Sequence, residues 1–260
     1  MTDKERTVRF YRVFIVLLMA AVGLVFPAQA QEASGLQIPV IDDLLNAPDE
    51  GGLSSSIILL FLMVSVLSLV PGIAMMVTCL PFMVIVFSFM RQAIGVQQAP
   101  PNMMIMALAM FLTFFIMEPV FMAAWENGIS PYMNDLITEQ QAWDRATEPF
   151  RTFMMRRTDP EALFVLGDAL NRPVVDGEAP SFSLLTTAFM LSEIKHAFQI
   201  GFVIFLPFLV IDLVVASVLM AVGMMMVPPT VVSLPFKIGF FILADGWLKI
   251  TEAVLRGYAG

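Results

Sequence analysis

The chain is poor in the residues that most catalytic and metal sites need. It has one cysteine, Cys79, and one histidine, His196, in 260 residues. A single cysteine excludes an internal disulfide and a paired-cysteine metal site, and a single histidine excludes a histidine-rich one. The sequence contains no HExxH, G-x-S-x-G or GxxxxGK[ST] pattern, so the usual signatures of metalloproteases, serine hydrolases and P-loop nucleotidases are missing. We therefore expect no enzyme, no cofactor and no metal ion.

Charged residues are also scarce, and they are unevenly spread. They form 14% of the chain against 58% hydrophobic residues, which is more apolar surface than a soluble domain can cover, so lipid or protein must cover it. None occurs from Gly51 to Met90, and no Lys or Arg occurs between Lys195 and Lys237. The formal charge of −8 argues against binding to the phosphates of a nucleic acid. The composition predicts an all-α membrane protein.

Residues 1–30 are typical of a secretory signal peptide. Basic residues precede an apolar stretch from Val13 to Phe26, and Ala28-Gln29-Ala30 follows it. A core of about 14 residues suits a signal peptide, whereas the alternative, a transmembrane anchor, needs about 20. We expect cleavage after Ala30, which leaves ten basic and twenty acidic residues, a formal charge of −10.

Composition divides the remaining chain into four segments. They are a polar, acidic lead-in (31–52), an apolar helical hairpin (53–125), a polar helical insert (126–181) and a second apolar helical hairpin (182–260). Pro71-Gly72 and Pro81 interrupt the first hairpin, so we expect broken helices there. With the N-terminus outside and four apolar segments crossing the membrane, the insert lies outside as well. Its ten acidic and five basic residues agree with that side.

Two helix starts are predicted in the insert. Ser130-Pro131 and Asp159-Pro160 each place a capping residue before a first-turn proline. The second of these helices should end near Asn171, because Pro173 lies just beyond it.

Three charged residues in the last third are candidates for function. Asp212 and Lys237 lie in apolar runs at similar distances from the turn between them, and a charge at membrane depth needs a partner. We expect them to form a buried ion pair, within or between subunits; a proton relay is the alternative. Glu193 is two residues from Lys195, so the two cannot share a helix face, and Glu193 is a candidate for a pore or a subunit interface. Neighbouring His196 is either an interfacial residue or a group that titrates near neutral pH.

The turn of the second hairpin is apolar. Met224, Met225 and Met226 follow Gly223, and Pro228-Pro229 then prevents the helix from continuing. Methionine is flexible and adapts its shape, and non-helical backbone at membrane depth is tolerated only inside protein or beside a cavity. Around a symmetry axis, such loops would form a soft constriction that excludes ions by dewetting.

Several stretches resemble the FliP/SctR family of type III secretion. These are RQAIGVQQAPPN (91–102), LTFFIMEPVF (112–121), PFRTFMMRRT (149–158), SEIKHAFQIGFVIFLPFLVIDLVVASVLMAVGMMMVPP (192–229) and SLPFKIGFFILADGW (233–247). The resemblance covers about residues 53–250.

This resemblance implies a subunit of the protein export gate in the bacterial inner membrane, with the insert on the periplasmic side. Five copies would assemble with FliQ and FliR, beside FlhB and FlhA, and pass unfolded flagellar proteins. Met224–Met226 would be the gasket, and Asp212, Lys237 and Glu193 fall on charged family positions. Phe153 and Phe164 would be candidates for a constriction above the gasket. An ion or small-solute channel and the injectisome counterpart of the gate are the alternatives.

The chain departs from the family pattern at three places. The family usually has an Arg in the segment that reads TCLPFMVIV here (78–86), near residue 82. Glu118 stands where a small residue is common, and His196 replaces a usual Thr. These departures leave the transfer of detailed subunit contacts open.

Overall fold

The computed structural model describes residues 52–96, 99–171, 179–224 and 226–259. The predicted signal peptide and the lead-in up to residue 51 lie outside the described residues. The chain forms two compact units, Met1–Ile73 and Ala74–Gly260.

Among the described residues all regular secondary structure is helical, and no strand is present. A π-helical turn, Trp125–Ile129, joins the third helix to the fourth. The helices are α1 (Gly52–Val77), α2 (Leu80–Ile94), α3 (Asn102–Ala124), α4 (Ser130–Met133), α5 (Glu139–Arg157), α6 (Pro160–Ala169), α7 (Phe182–Ala221), α8 (Pro229–Leu243) and α9 (Gly246–Ala259).

The expected helix break in the first hairpin occurs at one of the two predicted places. Pro71-Gly72 lies inside α1, so the chain stays helical there. It leaves the helix at Thr78-Cys79 instead, and Pro81 stands in the first turn of α2. A proline in the first turn of a helix loses no hydrogen bond, because the N–H at that position has no intrahelical partner.

Helix α2 lies at the centre of the unit Ala74–Gly260. It packs mainly against α7 and also against α3, and Phe82, Met83, Val86 and Phe87 are buried. Because residues 80–87 of α2 are all apolar, neighbouring helices must cover this part of the helix. Its C-terminus ends at Gly95, whose φ of 86° is in the left-handed region.

An arginine links the end of α2 to the start of α3. Arg91, in the last turn of α2, donates from Nη1 to the carbonyl of Pro100 at 3.4 Å and to the side chain of Asn102. Asn102 is the first residue of α3, so this side chain joins the end of one helix to the start of the next.

The insert contains one helix start as predicted and one that is different. Asp159 accepts a hydrogen bond from the Glu161 N–H at 3.1 Å, and α6 ends at Ala169, just before Asn171; the prediction for this helix is confirmed. Helix α4 does begin at Ser130 with Pro131 in its first turn. Ser130 is not the predicted cap, however, because it has helical dihedral angles and its N–H donates to the Trp125 carbonyl. The π-helical turn runs directly into α4, so the chain is already helical before Pro131. A capping box of Thr138 and Gln141 starts α5 instead.

Helix α5 crosses the π-helical turn at very short range. A Cβ added to Gly128 would lie 2.6 Å from the Cβ of Ala146 and 2.7 Å from its backbone nitrogen. Only glycine fits there, so Gly128 and Ala146 together allow α5 to pack on the end of the α3 extension.

Two helices are long and apolar enough to cross a membrane among the described residues. One is Asn102–Met133, which includes α3 and its π-helical extension, and the other is α7. Helices α8 and α9, bent by 59°, would count as a third if they form one span. Helix α2 is about 22 Å long at 1.5 Å per residue, short of the ~30 Å hydrocarbon core. The sequence predicted four crossings, so the described helices provide fewer than expected.

Candidate functional site

Residues 223–228 connect α7 to α8, and we call them the methionine loop. The loop begins with a Schellman motif at the end of α7. Gly223 has a φ of 82°, and its N–H donates to the Met220 carbonyl at 3.1 Å. The Met224 N–H donates to the Leu219 carbonyl at 2.9 Å. These two bonds satisfy carbonyls that the end of a helix otherwise leaves without partners. They also require the left-handed conformation that glycine adopts without strain.

The methionine side chains of this loop are exposed on the single chain. Met224 is 49% exposed and Met226 is 98% exposed, while Met225 lies outside the described residues. The loop ends at Pro228, and Pro229 opens α8 at a position where proline is favoured. The structure thus presents Met224 and Met226 at the tip of a hairpin whose two ends are fixed.

Below the loop, an ion pair joins the two helices of the hairpin. Lys237 Nζ of α8 lies 2.6 Å from Asp212 Oδ2 of α7, and the Ser233 hydroxyl donates to Asp212 Oδ1 at 2.6 Å. The structure therefore brings Asp212 and Lys237 together within one chain. Sequence reasoning missed Ser233, although its position four residues before Lys237 puts both on one face of α8.

Lys237 also lies close to the C-terminal end of α2. Its side chain is only 8% exposed, and a Cβ added to Gly95 would lie 4.0 Å from Nζ. The last carbonyls of a helix carry partial negative charge. The ammonium group is therefore placed between the Asp212 carboxylate and a helix end that both favour a cation.

Glu193 is not at a surface of this chain, where a pore or interface residue was expected. It is fully buried; Oε1 accepts from Arg157 Nε at 3.0 Å, and Oε2 accepts from the Tyr258 hydroxyl. A buried carboxylate is stable only with partners of this kind, which explains why it points inward. Burial by itself lowers the pKa of Arg157, but the charge of Glu193, the hydrogen bond to it and the neighbouring Tyr258 together outweigh burial, so the pKa lies above its ordinary value.

Lys195 points to a different partner, as the two-residue spacing predicts. Its Nζ lies 2.5 Å from Asp159 Oδ2 at the start of α6, and the Asp159 N–H donates to Ser192 Oγ at 2.9 Å. The hydrogen bond from Lys195, together with the Glu161 N–H, holds the pKa of Asp159 below its usual range. These contacts join the insert to α7.

The two phenylalanine candidates have opposite environments. Phe153 is buried in the core, 5.8 Å from Phe189 and 6.3 Å from Tyr258 between ring centroids. Phe164 of α6 is 50% exposed. Phe153 is therefore fixed by its packing inside the chain, and only Phe164 is available to a neighbouring molecule.

The three departures from the family pattern have separate environments. Near residue 82, Phe82 is buried and the Arg157 guanidinium lies 6.0 Å from its ring centroid, so a cation from α5 stands beside the segment that lacks one. Glu118 is partly exposed on α3. His196 is partly exposed as well, but its Nδ1 is buried and has no hydrogen-bond partner among the described residues.

Arg157 and Tyr258 also escaped sequence reasoning. Arg157 was one of several basic residues in a polar segment, and Tyr258 is the third residue from the end of the chain. No local pattern connects positions so far apart with Glu193. The one sequence signal was that a charged residue in an apolar run, such as Glu193, needs a partner.

The described residues define an all-helical protein with apolar helices that fit a membrane. They include no cluster of three or more His, Cys, Asp or Glu that could hold a metal ion. The chain belongs to the FliP family, whose model matches residues 63–254. It is 44% identical over 251 residues to the flagellar biosynthetic protein FliP of Agrobacterium fabrum, covering 95% of this chain and 98% of that protein. It is 43% identical over 218 residues to the FliP of Bacillus subtilis, covering 83% and 98%.

Proposed function

We propose that this chain is a channel subunit of the flagellar type III export gate, located in the bacterial inner membrane at the basal body. Five copies assemble with FliQ and FliR, and FlhB and FlhA lie beside them. Unfolded rod, hook and filament proteins pass through the channel, and the insert faces the periplasm. Membership of the FliP family and the apolar helices support this proposal; the copy number and partners follow from the family resemblance.

The observation that carries the proposal is the exposure of the methionine loop. Met226 is 98% exposed, although a flexible thioether side chain of this size gains free energy on burial. In a ring of copies, Met224, Met225 and Met226 of each subunit can meet at the central axis. There they form an apolar gasket that excludes hydrated ions and still deforms around a passing polypeptide.

The ends of the loop are suited to that role. The Schellman motif at Gly223 fixes the loop where it leaves α7, and Pro228-Pro229 fixes it where it enters α8. The Asp212–Lys237 pair braces the same two helices nearer the middle of the hairpin. Adaptation is therefore confined to the methionine side chains and the few residues between the two anchors.

The test is the ion conductance of membranes that contain the assembled gate in its resting state. Replacing Met224, Met225 and Met226 by alanine should make the membrane leaky, because small side chains leave an open path for water. Met220→Ala is the matched control, since Met220 is a methionine of α7 that is 62% exposed outside the loop. Unchanged conductance in the triple variant would contradict the gasket.

A genetic test addresses the system that the gate serves. A strain that lacks this gene should lose swimming and keep normal uptake of small solutes. Normal swimming would exclude the flagellar gate, and lost solute uptake would point to a solute channel.

A further inference from the structure

The C-terminal turn of the chain takes part in a buried cluster that the proposed function does not use. The cluster joins three helices that are far apart in sequence: Arg157 at the end of α5, Glu193 in α7 and Tyr258 at the end of α9. Glu193 is 0% exposed, and its two carboxylate oxygens have different partners. Arg157 Nε donates to one at 3.0 Å, and the Tyr258 hydroxyl donates to the other.

A carboxylate buried in this way depends on both partners. Removing a charged group from water costs free energy that only good hydrogen bonds recover. Arg157 supplies the charge and one donor, whereas Tyr258 supplies the donor for the oxygen that Arg157 does not reach. The last turn of α9 therefore completes the environment of a residue in α7.

Arg157 also binds the backbone of the last turn of α9. Its Nη1 donates to the carbonyl of Gly257 at 3.1 Å, and Gly257 is among the last four residues of α9, whose carbonyls have no intrahelical partner. A cation at this end of a helix is favourable. Arg157 thus caps α9 while it neutralises Glu193.

The ring of Tyr258 adds packing to these polar contacts. The Arg157 guanidinium lies 4.1 Å from its centroid, within the range of a cation–π contact. The Phe153 ring is stacked at 6.3 Å, and the Phe82 ring meets it edge-on at 5.4 Å. The same side chain therefore touches residues of α2 and α5 and binds the carboxylate of α7.

We infer that the last turn of α9 is a latch that holds the end of the insert helix α5 against α7. Tyr258 and Arg157 are its positioning residues, because both donate hydrogen bonds to the buried Glu193 carboxylate. The inference does not depend on the channel function, because it concerns the packing of one chain.

If α9 holds α5 in this way, removing the Tyr258 hydroxyl should speed amide hydrogen exchange at the end of α5. In the full chain, expressed with its gate partners and purified from membranes, Tyr258→Phe removes only the hydroxyl. Amide hydrogen exchange should rise by about tenfold or more at residues 153–158 and at residues 254–258, since hydrogen bonds to charged groups are strong. Arg256→Ala is the matched control, because Arg256 is on the same turn but points outward, 79% exposed. It should change exchange at residues 153–158 by less than about twofold.

Two further variants make the test specific. Arg157→Lys keeps the charge but lacks the fork that contacts Glu193 and the Gly257 carbonyl together, so it should also speed exchange at residues 254–258. Combining Glu193→Gln with Tyr258→Phe should give less than the product of the two single effects, because both disturb one contact. Faster exchange confined to α9 in Tyr258→Phe, or equal exchange in Tyr258→Phe and Arg256→Ala, would overturn the latch.

Discussion

Lys237 and Asp212 face each other across the two helices that carry the methionine loop, with Nζ 2.6 Å from Oδ2. The contact is made within one chain, so the hairpin needs no second copy to form this ion pair. The lysine is almost fully buried and the aspartate is 32% exposed. Water can therefore solvate part of the Asp212 carboxylate, whereas the Lys237 ammonium group relies mainly on its partner for stabilisation of its charge.

Neutralising Asp212 alone should destabilise the chain more than neutralising both partners. Asp212→Leu leaves the buried Lys237 ammonium without its carboxylate, which costs about 3 kcal/mol, the lower end for a broken buried pair. Combining it with Lys237→Met should recover much of that loss, because two apolar side chains of similar volume need no partner. Thermal unfolding of the detergent-solubilised protein measures the effect.

The control for the ion pair is an exposed one in the same long helix. Lys195→Met breaks the contact with Asp159, and the Lys195 side chain is 50% exposed. The Asp159 carboxylate that remains is 22% exposed, against 8% for Lys237, and it keeps the hydrogen bond from the Glu161 N–H. The unfolding temperature should therefore change less than in Asp212→Leu. Equal losses in the two variants would contradict the special role of Lys237.

Three glycines should respond to alanine in a fixed order. At Gly128 a Cβ meets the backbone of Ala146 at 2.7 Å, and at Gly201 it meets the Phe89 ring at 2.5 Å. A ring can move aside more easily than a helix backbone, so Gly128→Ala should cost the most, about 2 kcal/mol or more, and Gly201→Ala less. Gly239 has nothing within 4 Å, so Gly239→Ala should be neutral or slightly stabilising.

Thermal unfolding of the three variants, all made in the full chain, measures this order. Gly239 is the matched control because it is also inside a helix, where alanine is the better helix former. A Gly128→Ala protein as stable as Gly239→Ala would show that α5 does not cross the π-helical turn as closely as the structure places it.

Acid should weaken the contact between the insert and α7 through Asp159. Its pKa is lowered in the folded chain, mainly by the hydrogen bond from Lys195. Because the pKa of Asp159 is lower in the folded chain than in the unfolded chain, its charge stabilises the fold at pH values above the unfolded pKa, near 3.8. This stabilisation is lost as the pH falls through the folded pKa. Unfolding between about pH 5 and pH 2 should therefore be less pH-dependent in Asp159→Asn than in the natural chain.

Asparagine is the informative replacement at this position. It keeps an oxygen that can cap α6, as Asp159 does for the Glu161 N–H, and it removes only the titrating charge. Asp159→Ala removes both, so it should lower stability at neutral pH further than Asp159→Asn. An identical pH profile for Asp159→Asn and the natural chain would rule out this group as the source of the acid effect.

The helices with strong local signals were predictable from the sequence. Asp159-Pro160 starts α6 where the capping rule places it. The Ser130-Pro131 pattern is equally good locally, yet the chain stays helical there. The difference is tertiary, because the π-helical turn before Ser130, where Gly128 packs closely on Ala146, keeps the chain helical up to that point.

The candidate site was only partly accessible to sequence reasoning. Asp212 and Lys237 could be matched because one short turn separates their helices, so equal distances from the turn imply equal depth. Glu193 could not be matched in this way, since Arg157 is 36 residues away and Tyr258 is 65 residues away. A pore or interface position was therefore inferred from its charge, its two-residue spacing from Lys195 and the family resemblance, and the structure places it in the core.

The sequence by itself determined the all-helical, apolar character of this protein, the methionine loop between a glycine and two prolines, and membership of its family. These features depend on composition, backbone conformation and local spacing, which the order of residues contains. The tertiary structure alone decided the partners of Glu193 and which phenylalanine stayed exposed. A side chain's environment is set by helices that meet only after folding, so neither Arg157 nor Tyr258 could be assigned to Glu193 beforehand.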